Sequence, residues 1–84
     1  MTEPLTDDPR RAAGRVVLAR RGELGLTQQE AATRAGVNID TLSDMERGKS
    51  WPWAKNVAAI ARALDLDAVE LQRIADGQPV EAAS

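Results

Sequence analysis

Apolar positions in this chain recur three and four residues apart, in short runs closed by glycine, proline or a capping residue; that spacing predicts helices rather than strands. Ala13, Val17 and Leu24 fall along one side of a segment from about Pro9 or Arg10 to Glu23, with Pro9 suited to a first turn and Gly22 weakening the far end. A second helix opens at Thr27, where Thr27-Gln28-Gln29-Glu30 has capping-box spacing, and closes at Gly36, which takes the left-handed conformation at little cost. Asn38 is a good N-cap for a third, whose Leu42 and Met45 point inward beside Val37 and whose stop is Gly48. Pro52 interrupts the loop from Lys49 to Trp53, after which Val57, Ile60, Ala61 and Leu64 mark a fourth. Asp67 caps a fifth, with Leu71 and Ile74 continuing an apolar face to about Ala75. The expected fold is all-α, a compact bundle of five short helices over residues 9–76. Residues 1–8 and 77–84 lack apolar periodicity and are expected to be a flexible arm and tail.

Composition narrows the chemistry. At 84 residues, 43% hydrophobic and 29% charged, the chain suits one small folded domain. It has no cysteine and no histidine, so disulfides, thiolate chemistry and a zinc finger are excluded, and no metal or cofactor is expected. Phe and Tyr are also missing, and fifteen Ala favour closely packed short helices. No apolar run is long enough for a membrane span and the N-terminus does not read as a secretion signal, so no membrane partner and a cytoplasmic, nucleoid-associated location are expected. No nucleophile and base stand together, so an enzyme is not expected.

The net charge of -2 hides an uneven distribution: residues 1–8 carry -3, residues 9–62 carry +5, and residues 63–84 carry -4. A basic middle lies between acidic ends. Charge alone leaves two readings open, an ordinary solvated surface and a local field for an anionic partner.

A short helix joined to the next through Ala35-Gly36-Val37 fits a helix-turn-helix. The run from Leu24 to Leu71 resembles the Cro and phage-repressor type (Xre family) of helix-turn-helix DNA-binding domains: Gly25-Leu26-Thr27-Gln28 opens helix two, Ala32 is the small residue at the crossing, Gly36 makes the turn, and Glu46-Arg47-Gly48-Lys49 closes helix three. Pro52, Ala63-Leu64 and Val17-Leu18-Ala19-Arg20-Arg21 extend the likeness. The chain departs from the pattern at Ala31, where Leu is usual, at Asp65, where Gly is common, and at Trp53, where Ser often caps helix four. Asp tolerates the left-handed conformation better than most non-glycine residues, whereas Trp is a poor cap, so the first amides of helix four need another acceptor or water.

The resemblance implies that helix three enters the major groove, which admits a helix and displays a distinct pattern for each base pair. Carried over by position, Asn38, Ile39, Asp40, Ser43 and Asp44 face the bases, Thr41 lies at the flank, and Gln28 faces the backbone or a nearby base. Arg47, Lys49, Lys55 and Asn56 are the expected phosphate contacts, with Arg15 and Arg20 as secondary candidates. The pattern also implies an Arg21–Glu46 ion pair tying helix one to the end of helix three. Asp40 and Asp44, four apart, would repel phosphate, and cytosine amines offer them a compatible partner. Trp51 and Trp53 read as packing residues, although an exposed indole could also lie along a deoxyribose, donate to phosphate or meet a protein. The implied function is a sequence-specific transcriptional regulator, a repressor on a double-stranded DNA operator, and a two-fold homodimer is compatible with it. The alternative is a protein-interaction module, such as an antitoxin, antirepressor or adaptor, on the same scaffold.

Overall fold

A computed structural model describes residues 8–78, which form five helices: α1 (Pro9–Glu23), α2 (Gln28–Ala35), α3 (Ile39–Glu46), α4 (Ala54–Ala63) and α5 (Ala68–Ala75). The architecture is all-α, with α1 against α3 and α5, α2 against α3 and α4, and α4 against α5. No helix among the described residues is long and apolar enough to cross a membrane.

Local chemistry explains where the helices begin. Asp8, grouped by composition with the N-terminal arm, is instead the N-cap of α1, its carboxylate accepting from the Arg10 amide at 3.0 Å. At the other end Gly77 and Gln78, grouped with the tail, close α5 through amides donated to Ile74 and Arg73 carbonyls. Residues 1–7 and 79–84, the rest of the expected flexible segments, lie outside the described residues. Asp67 caps α5 by accepting from the Val69 and Glu70 amides. Trp53, by contrast, stands at the N-cap of α4 without a side-chain cap.

The turn between α2 and α3 needs a residue at positive φ, and Gly36 supplies it at 73°. Asp65 does the equivalent work after α4 at φ 58°, the one non-glycine residue with positive φ among those described. Arg20 secures that bend. Its Nε donates to the Leu64 carbonyl at 2.9 Å and its guanidinium approaches Glu23 at 3.1 Å and Asp65 at 3.7 Å. Expected as a secondary phosphate contact, Arg20 is therefore engaged inside the fold, satisfying the end of α4.

The core comprises Ala13, Val17, Ala31, Ala32, Leu42, Met45, Val57, Ile60, Ala61, Leu64, Leu71 and Ala75. Five of these are alanine, which lets helix axes approach closely but leaves few large side chains to bury. Leu24, aligned with Ala13 and Val17 in the sequence pattern, is 39% exposed because it caps α1 after the last full turn instead of continuing the inward face. Gly14 makes a close contact elsewhere on α1. It is buried where α1 crosses the end of α3, and a Cβ there would collide with the Met45 and Glu46 carbonyl oxygens.

Candidate nucleic-acid interface

The front of α2 is fixed by a complete capping box. The Thr27 hydroxyl accepts from the Glu30 amide at 3.0 Å, and the Glu30 carboxylate accepts from the Thr27 amide at 2.9 Å. Hydrogen bonding from Thr27, its amide first and its side chain second, holds the Glu30 carboxyl below its ordinary pKa. A group with a depressed folded pKa adds stability that is fully present above the unfolded value, near 4.3, and is lost as pH falls through the folded value. Glu30→Gln should accordingly lower the melting temperature slightly near pH 7, where the carboxylate is ionised, and converge on the parent as pH falls, so that part of the acid limb is flattened. Melting curves taken from pH 7 down to pH 3 measure this, and an acid limb identical to the parent's would show that the capping carboxylate carries no pH dependence.

Behind this helix start sits an interlocked polar group. Arg21 donates to Glu46 twice, from Nε at 2.7 Å and Nη2 at 3.0 Å, and its Nη1 donates to the Leu26 carbonyl at 2.9 Å. Gln28 Nε2 donates to the same Glu46 carboxylate at 2.8 Å. Only 3% of the Glu46 side chain and 16% of the Arg21 side chain are exposed. Hydrogen bonding to Glu46 raises the Arg21 pKa, against the lowering effect of burial, so the guanidinium stays charged. One carboxylate therefore links the end of α1, the start of α2 and the end of α3. Gln28, expected to turn toward DNA, gives one of its two amide donors to this group; its oxygen and second N–H are what it can offer outward.

Along α3 the inward positions are Leu42, Met45 and Glu46. Asn38 and Asp40 are exposed, while Thr41, Ser43 and Asp44 are half-buried. The Asn38 side-chain oxygen accepts from the Asp40 amide at 2.7 Å, so its capping role uses the oxygen and leaves its NH2 as the outward donor. Ile39, placed among the base-facing residues by position, is half-buried against the core. Asp44 accepts from Arg47 at 3.2 Å, which offsets one of the two carboxylates on this face. Arg47, Lys49 and Lys55 are exposed and Asn56 is half-buried, so three cations stand around the C-terminal end of α3 and the start of α4.

The loop between these helices separates the two tryptophans. Trp51 is half-buried against the core and its indole Nε1–H donates to Gln72 on α5 at 3.1 Å. Trp53 is 80% exposed, so the packing role expected of both belongs to Trp51 alone. Together Ser50, Trp51, Pro52, Trp53 and Asn56 face Asp40, Thr41 and Asp44 across an open groove of about 260 Å³. No local pattern signals the Gln28–Glu46 or Trp51–Gln72 bonds, because they join residues 18 and 21 positions apart. Gly14 did carry a signal, since a glycine in the middle of a helix costs about 1 kcal/mol against alanine unless space requires it.

Residues 17–71 match the helix-turn-helix family model. An uncharacterized HTH-type transcriptional regulator of Sinorhizobium fredii is 36% identical over 72 residues, covering 86% of this chain and 94% of the relative. A second, from Methanothermobacter thermautotrophicus, is 44% identical over 50 residues, or 60% of this chain and 72% of the relative. Among solved structures, the restriction-modification controller protein C.AhdI of Aeromonas hydrophila aligns with TM-score 0.69 at 27% identity, over 74% of this chain and 94% of the controller. The clp gene regulator ClgR of Corynebacterium glutamicum aligns with TM-score 0.68 at 28% identity, over 94% of this chain and all of that one. With a family match across more than half its length, and the five-helix phage-repressor-like fold, this chain belongs to the helix-turn-helix family.

Proposed function

We propose that the protein is a sequence-specific DNA-binding transcriptional regulator of the Cro and phage-repressor (Xre) type, a repressor whose α3 reads the major groove of an operator. The observation that carries this reading is the arrangement of α3. Its outward residues Asn38, Asp40, Thr41, Ser43 and Asp44 form a polar reading surface, bordered by the exposed cations Arg47, Lys49 and Lys55. The fixed start of α2 adds amides and a partial positive charge where Gln28 would meet a phosphate. Relatives named as transcriptional regulators support the same role. The proposed activity is binding without chemistry, in the cytoplasm at the nucleoid.

A homodimer on a palindrome, with half-sites about one helical turn apart, is part of this reading. Leu71 is 2% exposed within the core and so is not available to that contact; among the described residues the exposed large apolar side chains are Leu18, Leu24, Trp53 and Val69. Asp40 and Asp44 are the features that favour the second reading, a protein-interaction module, because carboxylates on the reading face oppose indiscriminate phosphate contact. Selection of bound sequences from a random DNA pool tests the choice. An enriched motif supports the regulator, and failure to enrich any DNA favours the protein-interaction module.

Two substitutions separate the contributions within the proposed interface. Lys49→Ala should weaken binding to every sequence and reduce the salt slope by about 1, as expected for one lost phosphate contact. Asp40→Ala should relax preference at one base pair by roughly 1 to 3 kcal/mol if the carboxylate accepts from a cytosine amine. Titration of both variants against the selected operator and its single-base changes measures this. Uniform tightening by Asp40→Ala at every position would reject cytosine readout and leave only relieved repulsion.

A further inference from the structure

We infer that Trp53 is a DNA-backbone contact, its ring lying along a deoxyribose and its indole N–H donating to the adjoining phosphate; the inference rests on the DNA-binding reading above. Three observations point to it. Trp53 stands at the N-cap of α4 without a side-chain cap and with its side chain 80% exposed, so it serves neither the helix end nor the core. Trp51, two residues earlier, already provides the loop's packing and its hydrogen bond to Gln72. And Trp53 lines the groove whose opposite wall is the outward face of α3, through Asp40, Thr41 and Asp44.

That position determines what an indole can meet. With α3 in a major groove, the segment directly after it faces the flanking sugar-phosphate strand. Lys49 and Lys55 lie to either side of Trp53 in the sequence and both are exposed, so cations that draw the same strand flank it along the chain, while Asp40 and Asp44 line the groove with it. A flat apolar face with a single N–H at its edge matches a deoxyribose next to a phosphate. The contact is neutral, so it should add affinity without displacing a counterion, unlike a lysine at the same place.

Trp53→Ser provides a test with two readouts of opposite sign. Serine is a good N-cap, so this variant should melt a few degrees higher than the parent. It should also bind a duplex selected from the random pool about tenfold more weakly, reflecting lost apolar contact. The loss should be similar for every sequence, with the salt slope unchanged. Trp53→Phe, which keeps a ring but not the N–H, should fall between the two.

Fluorescence gives an independent check. In Trp51→Phe the remaining indole is Trp53, and saturating duplex should shield it from acrylamide. Binding by Trp53→Ser as tight as the parent's, or an indole still fully open to acrylamide in the saturated complex, would overturn the inference while leaving the DNA-binding reading intact. A parent protein that selects no DNA would overturn both.

Discussion

Glu46→Ala should destabilise the fold by about 3 to 5 kcal/mol, the range found when one partner of a buried ion pair is removed. The magnitude follows from burial. Exposed pairs contribute about 0 to 1 kcal/mol, but here the carboxylate is 3% exposed and the guanidinium 16%, so the Arg21 charge would be left largely out of water. The substitution also removes the acceptor of Gln28 and both Arg21 contacts to α3, while Arg21 keeps its bond to the Leu26 carbonyl. In a domain of this size each kcal/mol lowers the melting temperature by about 4 to 8 °C, so the loss would consume much of a typical total stability of 5 to 15 kcal/mol. Chemical denaturation of parent and variant measures it, and an unchanged midpoint would reject a buried pair. Arg21→Ala combined with Glu46→Ala should cost less than the two single changes added together, because the second removes a charge already deprived of its partner.

The helix boundaries were legible because their determinants are local. Capping at Thr27 and Asp67, the turn at Gly36 and the proline before α4 each act within a few residues, so each can be read along the chain. Side-chain roles were less legible. A helical wheel assigns Leu24 to the inward face, but the helix ends before that position can pack. Arg20 looks like an available cation in the sequence, yet the Leu64 carbonyl lies 44 residues further along and meets it only in the fold. The two tryptophans look equivalent around Pro52, and α5 distinguishes them by placing Gln72 beside Trp51.

The candidate interface shows the same division. Position on α3 is readable, since a helix places its outward residues by periodicity alone. What each of those residues has left to offer is not: Asn38 gives its oxygen to a cap, Gln28 gives a donor to Glu46, and Asp44 accepts from Arg47. The outward chemistry of the proposed reading surface is thus the remainder after internal bonds, and Asp40 stands out because its carboxylate is on the exposed part of that surface.

Gly14→Ala should be the most damaging single methyl addition among the described glycines in helices. Two effects compete. Alanine is better than glycine in a helix by about 1 kcal/mol, which favours the substitution. Against it, the added Cβ would overlap the Met45 carbonyl oxygen and lie 2.8 Å from the Glu46 carbonyl oxygen, and both are backbone atoms that cannot rotate aside. Relief requires α1 to move away from the end of α3, which also pulls Arg21 from Glu46 because the two contacts share the same pair of helices. Overpacking alone costs about 1 to 3 kcal/mol, occasionally more, and with the strained ion pair added the net loss should reach about 3 kcal/mol. Gly22→Ala is the matched control in the same helix. Nothing lies within 4 Å of a Cβ at that position, so the propensity gain should stand alone and raise stability by several tenths of a kcal/mol. Denaturation of both variants beside the parent decides the point: shifts of opposite sign are expected, and a Gly14→Ala midpoint at or above the parent's would show that α1 and α3 do not meet at this close approach.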